Sequence, residues 1–177
     1  MTSQLQRRAF SSSVKDINKV CVVGGGVAGL QTVDRLRGLG IDCTLFESEP
    51  DVGGVWRSHS AESGLQVPRE LYEFPGFRYK EDENFIHKYP RRQEVQKYIQ
   101  RFAKERSIYP MCKFNTSVSS IVPNTKGWYV EYKDKQKDLT HNEKFDFVVI
   151  CTGMHSQSQI PAKNEAMTSE SKDSDYK

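Results

Sequence analysis

The stretch "KVCVVGGGVAGLQTVDRLRGLGIDCTLFE", Lys19–Glu47, decides how the rest of the chain is read. It opens on an apolar run, 19–23, of the kind that forms a buried strand. Three consecutive glycines follow at once. Over 27–38 the apolar residues Val27, Leu30, Val33 and Leu36 recur every three positions, which predicts a helix, and Gly40 is placed to end it. "DCTLFE", 42–47, reads as a second strand. The order is therefore strand, glycine turn, helix, strand.

In that setting Gly24-Gly25-Gly26-Val27-Ala28-Gly29 matches G-x-G-x-x-G. The motif has meaning only where it follows a strand and opens a helix, as it does here. Gly24 suits the tight turn, Gly26 lets backbone approach a pyrophosphate, and Gly29 lets helix and strand pack closely. Gly25 is an extra glycine in a variable position. Free amides at the positive end of the helix, those of Val27 and Ala28 among them, suit an anionic group. Glu47 closes the second strand 23 residues after Gly24. An acid there accepts hydrogen bonds from a ribose diol and repels a 2′-phosphate, so this first site is expected to exclude NADP. A second pair of glycines follows in Gly53-Gly54-Val55-Trp56-Arg57.

Outward from this core, residues 48–90 hold most of the prolines with little periodicity and read as structured loops. "RRQEVQKYIQRFAKER", 91–106, predicts an amphipathic helix with Val95, Tyr98, Ile99 and Phe102 on one face. "KFNTSVSSIVP" and "GWYVEYKD" read as two strands joined by a turn at "NTKG". "KFDFVVICTG", 144–153, reads as one long buried parallel strand. The candidates for a parallel sheet are thus 19–23, 42–47, part of 113–122 and 145–150. After Pro161 the chain has no Ile, Leu, Val, Phe or Trp, so 162–177 is expected to form no packed structure. Residues 1–18 are expected to be a tail or a presequence.

Composition excludes several classes. A formal charge of +3, with no basic cluster interleaved with aromatics, gives no support to nucleic-acid binding. No run approaches the ~20 apolar residues that span a bilayer, so no membrane anchor is expected. The four cysteines, at 21, 43, 112 and 151, have no metal-knuckle or redox spacing, and no metal site is expected. Cys21, Cys43 and Cys151 lie in apolar runs and read as buried thiols, which fits a reducing compartment. Cytoplasm is the expected location. The basic, serine-rich start "MTSQLQRRAFSSSVK" resembles a mitochondrial presequence and keeps that compartment open. His59, His87, His141 and His155 are scattered and read as surface or structural residues.

The stretch from Lys19 to Arg57 resembles the flavin-containing monooxygenases. "LQVPRELYEFPGF" from Leu65 is similar to the family's segment beneath the flavin, "FIHKYPRRQEVQKYIQRFAKE" to its helix, and "FDFVVICTGMHSQSQIP" to the strand that ends the first half of its FAD domain. The resemblance covers roughly residues 19–161. It implies an α/β fold, a Rossmann-like doubly wound parallel sheet with a small antiparallel insert. It implies FAD held by Gly24, Gly26, Val27, Ala28, Gly29, Glu47, Gly54, Val55, Trp56, Thr152 and Gly153. NADPH would reduce the FAD, and one oxygen atom would pass to a small nucleophilic amine or sulfur substrate. Against an NAD-binding dehydrogenase domain stands Gly53-Gly54 followed by Trp56.

The sequence departs from the family pattern twice. The family's asparagine in N-x-P is matched best by Gln66-Val67-Pro68, so Gln66 is the one candidate beside the reactive ring, with an ordinary loop residue as the other reading. The family's second glycine motif, for NADPH, has no counterpart in these 177 residues. The expectation is an FAD half-site that does not turn over alone. A non-catalytic FAD-binding module and a partner chain supplying the other half both stay open.

Overall fold

The computed structural model describes residues 17–80 and 87–154. Expectations for 1–16, for His155 and for 162–177 lie outside the described residues. The elements run β1 (Lys19–Val23), α1 (Val27–Gly38), β2 (Asp42–Phe46), a short α2 (Val55–Ser58), a 3-10 turn (Arg69–Tyr72), α3 (Arg92–Glu105), a second 3-10 turn (Tyr109–Met111), β3 (Cys112–Lys113), β4 (Thr116–Asn124), β5 (Gly127–Asp134), β6 (Leu139–Phe145) and β7 (Phe147–Ile150).

Four strands form a parallel sheet in the order β3-β2-β1-β7. Three form an antiparallel sheet, β4-β5-β6. This is the Rossmann-like sheet with a small antiparallel insert. From β1 the chain steps outward to β2 and β3, then returns to β7 on the other side of β1. Ligands of open α/β sheets bind where the order reverses in this way, at the carboxyl ends of the strands.

Alternation along β1 sets the layers, because successive strand residues face opposite sides. Val20 and Val22 face one side, with Cys43 and Leu45 of β2. Leu30 and Val33 of α1 cover them, as do Val95, Tyr98, Ile99 and Phe102 of α3. Cys21 and Val23 face the other side, where Phe46 meets Val130, Tyr132 and Phe145 of the antiparallel sheet. Phe46 and Tyr132 have ring centroids 4.5 Å apart. Full burial stabilises each large apolar side chain by roughly 1.5–3 kcal/mol, so both faces of the central strands are needed. The buried residues of α3 are the expected stripe with Ala103 and Glu94 added, and the Glu94 carboxylate accepts from the Arg91 amide at 2.7 Å.

Two expectations need correction, and one strand was not foreseen. The run 144–153 is two strands: Phe145 ends β6 in the antiparallel sheet and Phe147 starts β7 in the parallel one. Asp146 makes the switch, its carboxylate accepting from the amides of Asn18 (3.0 Å) and Lys19 (2.9 Å). Likewise 113–122 is divided: Cys112–Lys113 joins the parallel sheet, Asn115 turns the chain at φ +52°, and Thr116 starts β4. The third difference is β6 itself. "LTHNEKF" is mostly exposed and carries almost no apolar signal. It is a strand because β5 supplies a complete ladder of partners from Trp128↔Phe145 to Asp134↔Leu139.

Glu143 of β6 ties the two sheets together. It accepts from Lys19 Nζ at 2.7 Å, Lys113 Nζ at 2.9 Å and Tyr132 Oη at 3.1 Å. Burial pushes its carboxyl up, but the lysine and tyrosine hydrogen bonds outweigh that and hold it at about 2, against an ordinary 4.5. A carboxyl lowered by folding contributes stability above its unfolded value and loses it as pH falls through the folded one. Glu143→Gln is therefore expected to cost about 1–2 kcal/mol at pH 7, with roughly two fifths of that gap left at pH 3. Urea unfolding of both proteins at the two pH values measures it. A gap of equal size at both would assign the loss to packing instead.

Candidate functional site: a glycine crevice at the sheet reversal

The carboxyl ends of β1, β2 and β7 converge on two glycine loops. Gly24 leaves β1 at φ +107°, and its amide donates to Phe46 O at 2.8 Å. A Cβ on Gly24 would lie 2.5 Å from Cys151 O, and one on Gly29 would lie 1.9 Å from Gly24 O. Both are therefore demanded by the packing of the chain on itself. Gly26 differs: a Cβ there would meet only Gly54 Cα, at an ordinary 3.6 Å. Nothing in the described fold requires a glycine at 26, and its Cβ position lies toward the second glycine loop. Gly26 is also the N-cap of α1 and gives no side-chain cap. The first-turn amides, including those of Val27 and Ala28, are left to the open end of the helix.

Glu47 is buried, 7% exposed. Its Oε2 accepts from the Gly25 amide at 2.5 Å, and its Oε1 from the Glu49 amide at 2.9 Å and Ser48 Oγ at 3.2 Å. Each carboxylate oxygen has two lone-pair sites, so capacity remains for a hydroxyl. Sequence reasoning missed Gly25. A Cβ at that position would sit 2.9 Å from Glu47 Oε2, so the extra glycine admits the acid against the loop. The signal was a glycine triplet where the motif asks for two.

The second loop lies against the first. The Gly53 amide donates to Gly25 O at 3.0 Å, and a Cβ on Gly54 would be 3.0 Å from Gly26 Cα. Beyond Gly54, Val55 is exposed, while Trp56 donates from Nε1 to Tyr72 Oη at 2.6 Å. At the end of β7 the Cys151 amide donates to Val23 O at 2.7 Å. Thr152 and Gly153 emerge beside Gly24, exposed. Gln66 is exposed in the loop before the Arg69–Tyr72 turn, and among the described contacts none joins it to the glycine loops. The histidines stand apart too: His59 is exposed beside Trp56, His87 Nδ1 is 3.1 Å from Glu94, and His141 stacks on Tyr132.

Two thiols of the parallel sheet are held back from ionising. Burial first, then the Glu143 charge, pushes the Cys21 thiol up to about 12, and burial with the nearby Glu47 does the same for Cys112. All four cysteines are unpaired. Two grooves flank the helices that adjoin the crevice, the second of them reaching Ala28. One of about 820 Å³ is lined by Gln100, Arg101, Lys104, Glu105 and Tyr109, and one of about 410 Å³ runs along α1. The chemistry of the glycine crevice is that of oriented amides and one carboxylate, suited to holding a ligand.

Residues 17–172 match the Flavin-binding monooxygenase-like family, and the chain belongs to it. Flavin-containing monooxygenase 3 of Oryctolagus cuniculus is 33% identical over 159 residues, covering 81% of this chain and 29% of that protein. Flavin-containing monooxygenase FMO GS-OX3 of Arabidopsis thaliana is 34% identical over 167 residues, covering 80% of this chain and 36% of the relative. The chain thus spans about a third of the length of these curated relatives. Among solved structures, Tmm from Pelagibacter superposes with a TM-score of 0.70 at 26% identity, over 82% of this chain and 38% of that one. S-allyl-L-cysteine S-oxygenase from Allium sativum gives 0.68 at 25%, over 77% and 36%. A steroid monooxygenase solved with NADP gives 0.66 at 26%, over 81% and 27%.

The contrast between glycines yields a paired expectation. Gly29→Ala should cost about 3 kcal/mol or more, since backbone blocks the new methyl. Gly26→Ala, at a permitted φ of −79°, should cost about 1 kcal/mol or less. Thermal or urea unfolding of the two apo proteins checks this, and equal losses would contradict it.

Proposed function

We propose that residues 19–161 form the FAD-binding part of a flavin-dependent monooxygenase that uses NADPH and oxygen to oxygenate a small amine or sulfur nucleophile. The observation that carries this reading is the open Cβ position of Gly26 between uncapped helix amides and Gly54. It is a cradle that a side chain would fill and a pyrophosphate would fit. In it, Gly24 sets the turn, Gly29 sets the helix, and Gly26, Val27, Ala28 and Gly54 line the phosphates. The Glu47 carboxylate takes the adenosine ribose hydroxyls. Val55 and Trp56 of α2 flank the cofactor, and Thr152 and Gly153 meet it at the end of β7. Gln66 is the proposed side chain at the ring, offering an amide donor and acceptor. When bound, FAD supplies the redox and oxygen chemistry, with NADPH as the electron source. Support for the substrate class comes from the relatives, which include an S-oxygenase of S-allyl-L-cysteine.

A second reading, a cofactor-binding module without turnover, is favoured by one observation on the described residues. Thr152, Gly153 and Met154 are exposed, Met154 to 90%. Oxygen transfer needs a site that excludes water, and the described residues leave this side open. We propose that further chain, from the same or a partner polypeptide, covers it. No described helix is long and apolar enough to cross a membrane. Four unpaired thiols suit a reducing compartment, with cytoplasm the proposed location and the mitochondrion the second.

Two measurements test this. Glu47→Ala should weaken FAD binding about ten-fold or more, the value of a charge-assisted hydrogen bond, read by titration of flavin fluorescence. Unchanged affinity would remove the ribose role. The purified 177-residue chain, given FAD, NADPH and a simple tertiary amine, should consume NADPH slowly and form no N-oxide. Steady N-oxide formation matched to NADPH would show that these residues suffice.

A further inference from the structure

We infer that a polar stripe on α3, formed by Arg92, Gln96 and Gln100, positions the second glycine loop and through it the first, and so sets the width of the cofactor cradle. This rests on the FAD-binding reading of the crevice. The three residues are spaced i, i+4 and i+8, which places them in a row along one side of the helix. Each reaches the same segment, 51–57, at a different point. Arg92 Nη1 donates to Arg57 O at 2.8 Å, Gln96 Nε2 to Val52 O at 2.7 Å, and Gln100 Nε2 to Asp51 Oδ2 at 2.6 Å. Tyr109 adds a bond from its hydroxyl to Asp51 Oδ1 at 3.0 Å, and the Val52 amide donates to the same oxygen at 2.8 Å. Segment 51–57 is thus held by one helix at its start, through Asp51 and Val52, and at its end, through Arg57.

The Gln96 side chain also packs directly on Gly53. A Cβ on Gly53 would lie 2.0 Å from Gln96 Oε1, so the carboxamide occupies the place of a side chain. Gly53 has φ +135°, a conformation glycine adopts most readily. Gln96 Oε1 is buried and has no hydrogen-bond partner among the described residues, although Nε2 is bonded. A buried acceptor left unsatisfied is costly, and an apolar residue at 96 would avoid that cost. What Gln96 supplies in return is one donor fixed on Val52 O and a flat group against Gly53 Cα. The Gly53 amide is then directed onto Gly25 O at 3.0 Å. Gly25 in turn donates to Glu47, and Gly54 stands over Gly26. The order of contact is Gln96, Gly53, Gly25, Glu47, so a residue on the helix flank fixes the two parts assigned to pyrophosphate and ribose without touching the ligand. Gln96 and Arg92 are positioning residues in this sense.

The test uses the full 177-residue chain with Gln96→Leu, Arg92→Met and the conservative Arg92→Lys, and Gln93→Ala on the exposed side of α3 as control. Amide hydrogen exchange of segment 51–57 is read without cofactor, and FAD affinity is read by fluorescence titration. Expected is faster exchange at Gly53 in Gln96→Leu, with the amides of Ile99 and Phe102 as protected as in the parent. FAD binding should weaken about ten-fold, the equivalent of one well-placed hydrogen bond. Arg92→Met should behave similarly and Arg92→Lys should recover most of the affinity, which a merely packed side chain would not produce. Unchanged exchange at Gly53 overturns the clamp. Faster exchange with unchanged FAD affinity overturns its role in setting the cradle. A parent chain that binds no FAD overturns the cofactor reading, while the exchange data still decide the clamp. Should Gln96→Leu fail to fold, Gln100→Leu at the half-buried end of the stripe carries the same two readouts.

Discussion

Helix α1 lies against the turn from β1 because Gly29 has no side chain. The space a Cβ would take there is held by the carbonyl of Gly24, 1.9 Å away. Gly24 in turn sits over Cys151 O, at the end of β7. This double approach of backbone on backbone fixes three elements at once. With α1 drawn in, Leu30 and Val33 reach Val20, Val22 and Leu45 and are fully buried. With β7 held beside Gly24, the sheet order reverses at the point where the helix begins. The amide end of α1 and the carboxyl ends of the strands then face the same space. Geometry that stabilises the fold also makes the crevice.

Within the crevice the glycines divide by what excludes their side chains. Protein backbone excludes it at 24 and 29, and the Glu47 carboxylate at 25. At 26 no close protein atom does. That distinction is physical and separates glycines that packing requires from one that it does not, without reference to any relative. It also explains why a dinucleotide loop is more than a motif of small residues. One glycine, Gly26, has no close protein atom in the place of its side chain, while its neighbours are consumed in holding the helix and the acid around it.

Much of this was legible in the sequence because the informative residues are local. Apolar alternation marked β1, three-residue recurrence marked α1, and the stripe Val95, Tyr98, Ile99 and Phe102 marked α3. Glu47 could be placed because motif spacing fixes it at the end of β2. What was not legible depends on partners distant in the chain. The polar strand β6 exists through its ladder to β5. The run 144–153 conceals a change of sheet at Asp146, which is set by bonds to Asn18 and Lys19 more than a hundred residues away. The stripe Arg92, Gln96 and Gln100 reads in sequence as the solvated side of an amphipathic helix, and only the fold brings 51–57 against it. Gln66, chosen by resemblance, lies exposed and apart from the loops that the other site residues share.

The central claim is that this glycine crevice holds FAD. The most direct measurement is the visible absorption spectrum of the purified chain after incubation with FAD and gel filtration. The account predicts a flavin band that elutes with the protein in near-stoichiometric amount. Protein that emerges colourless, with all FAD in the small-molecule fraction, would contradict it.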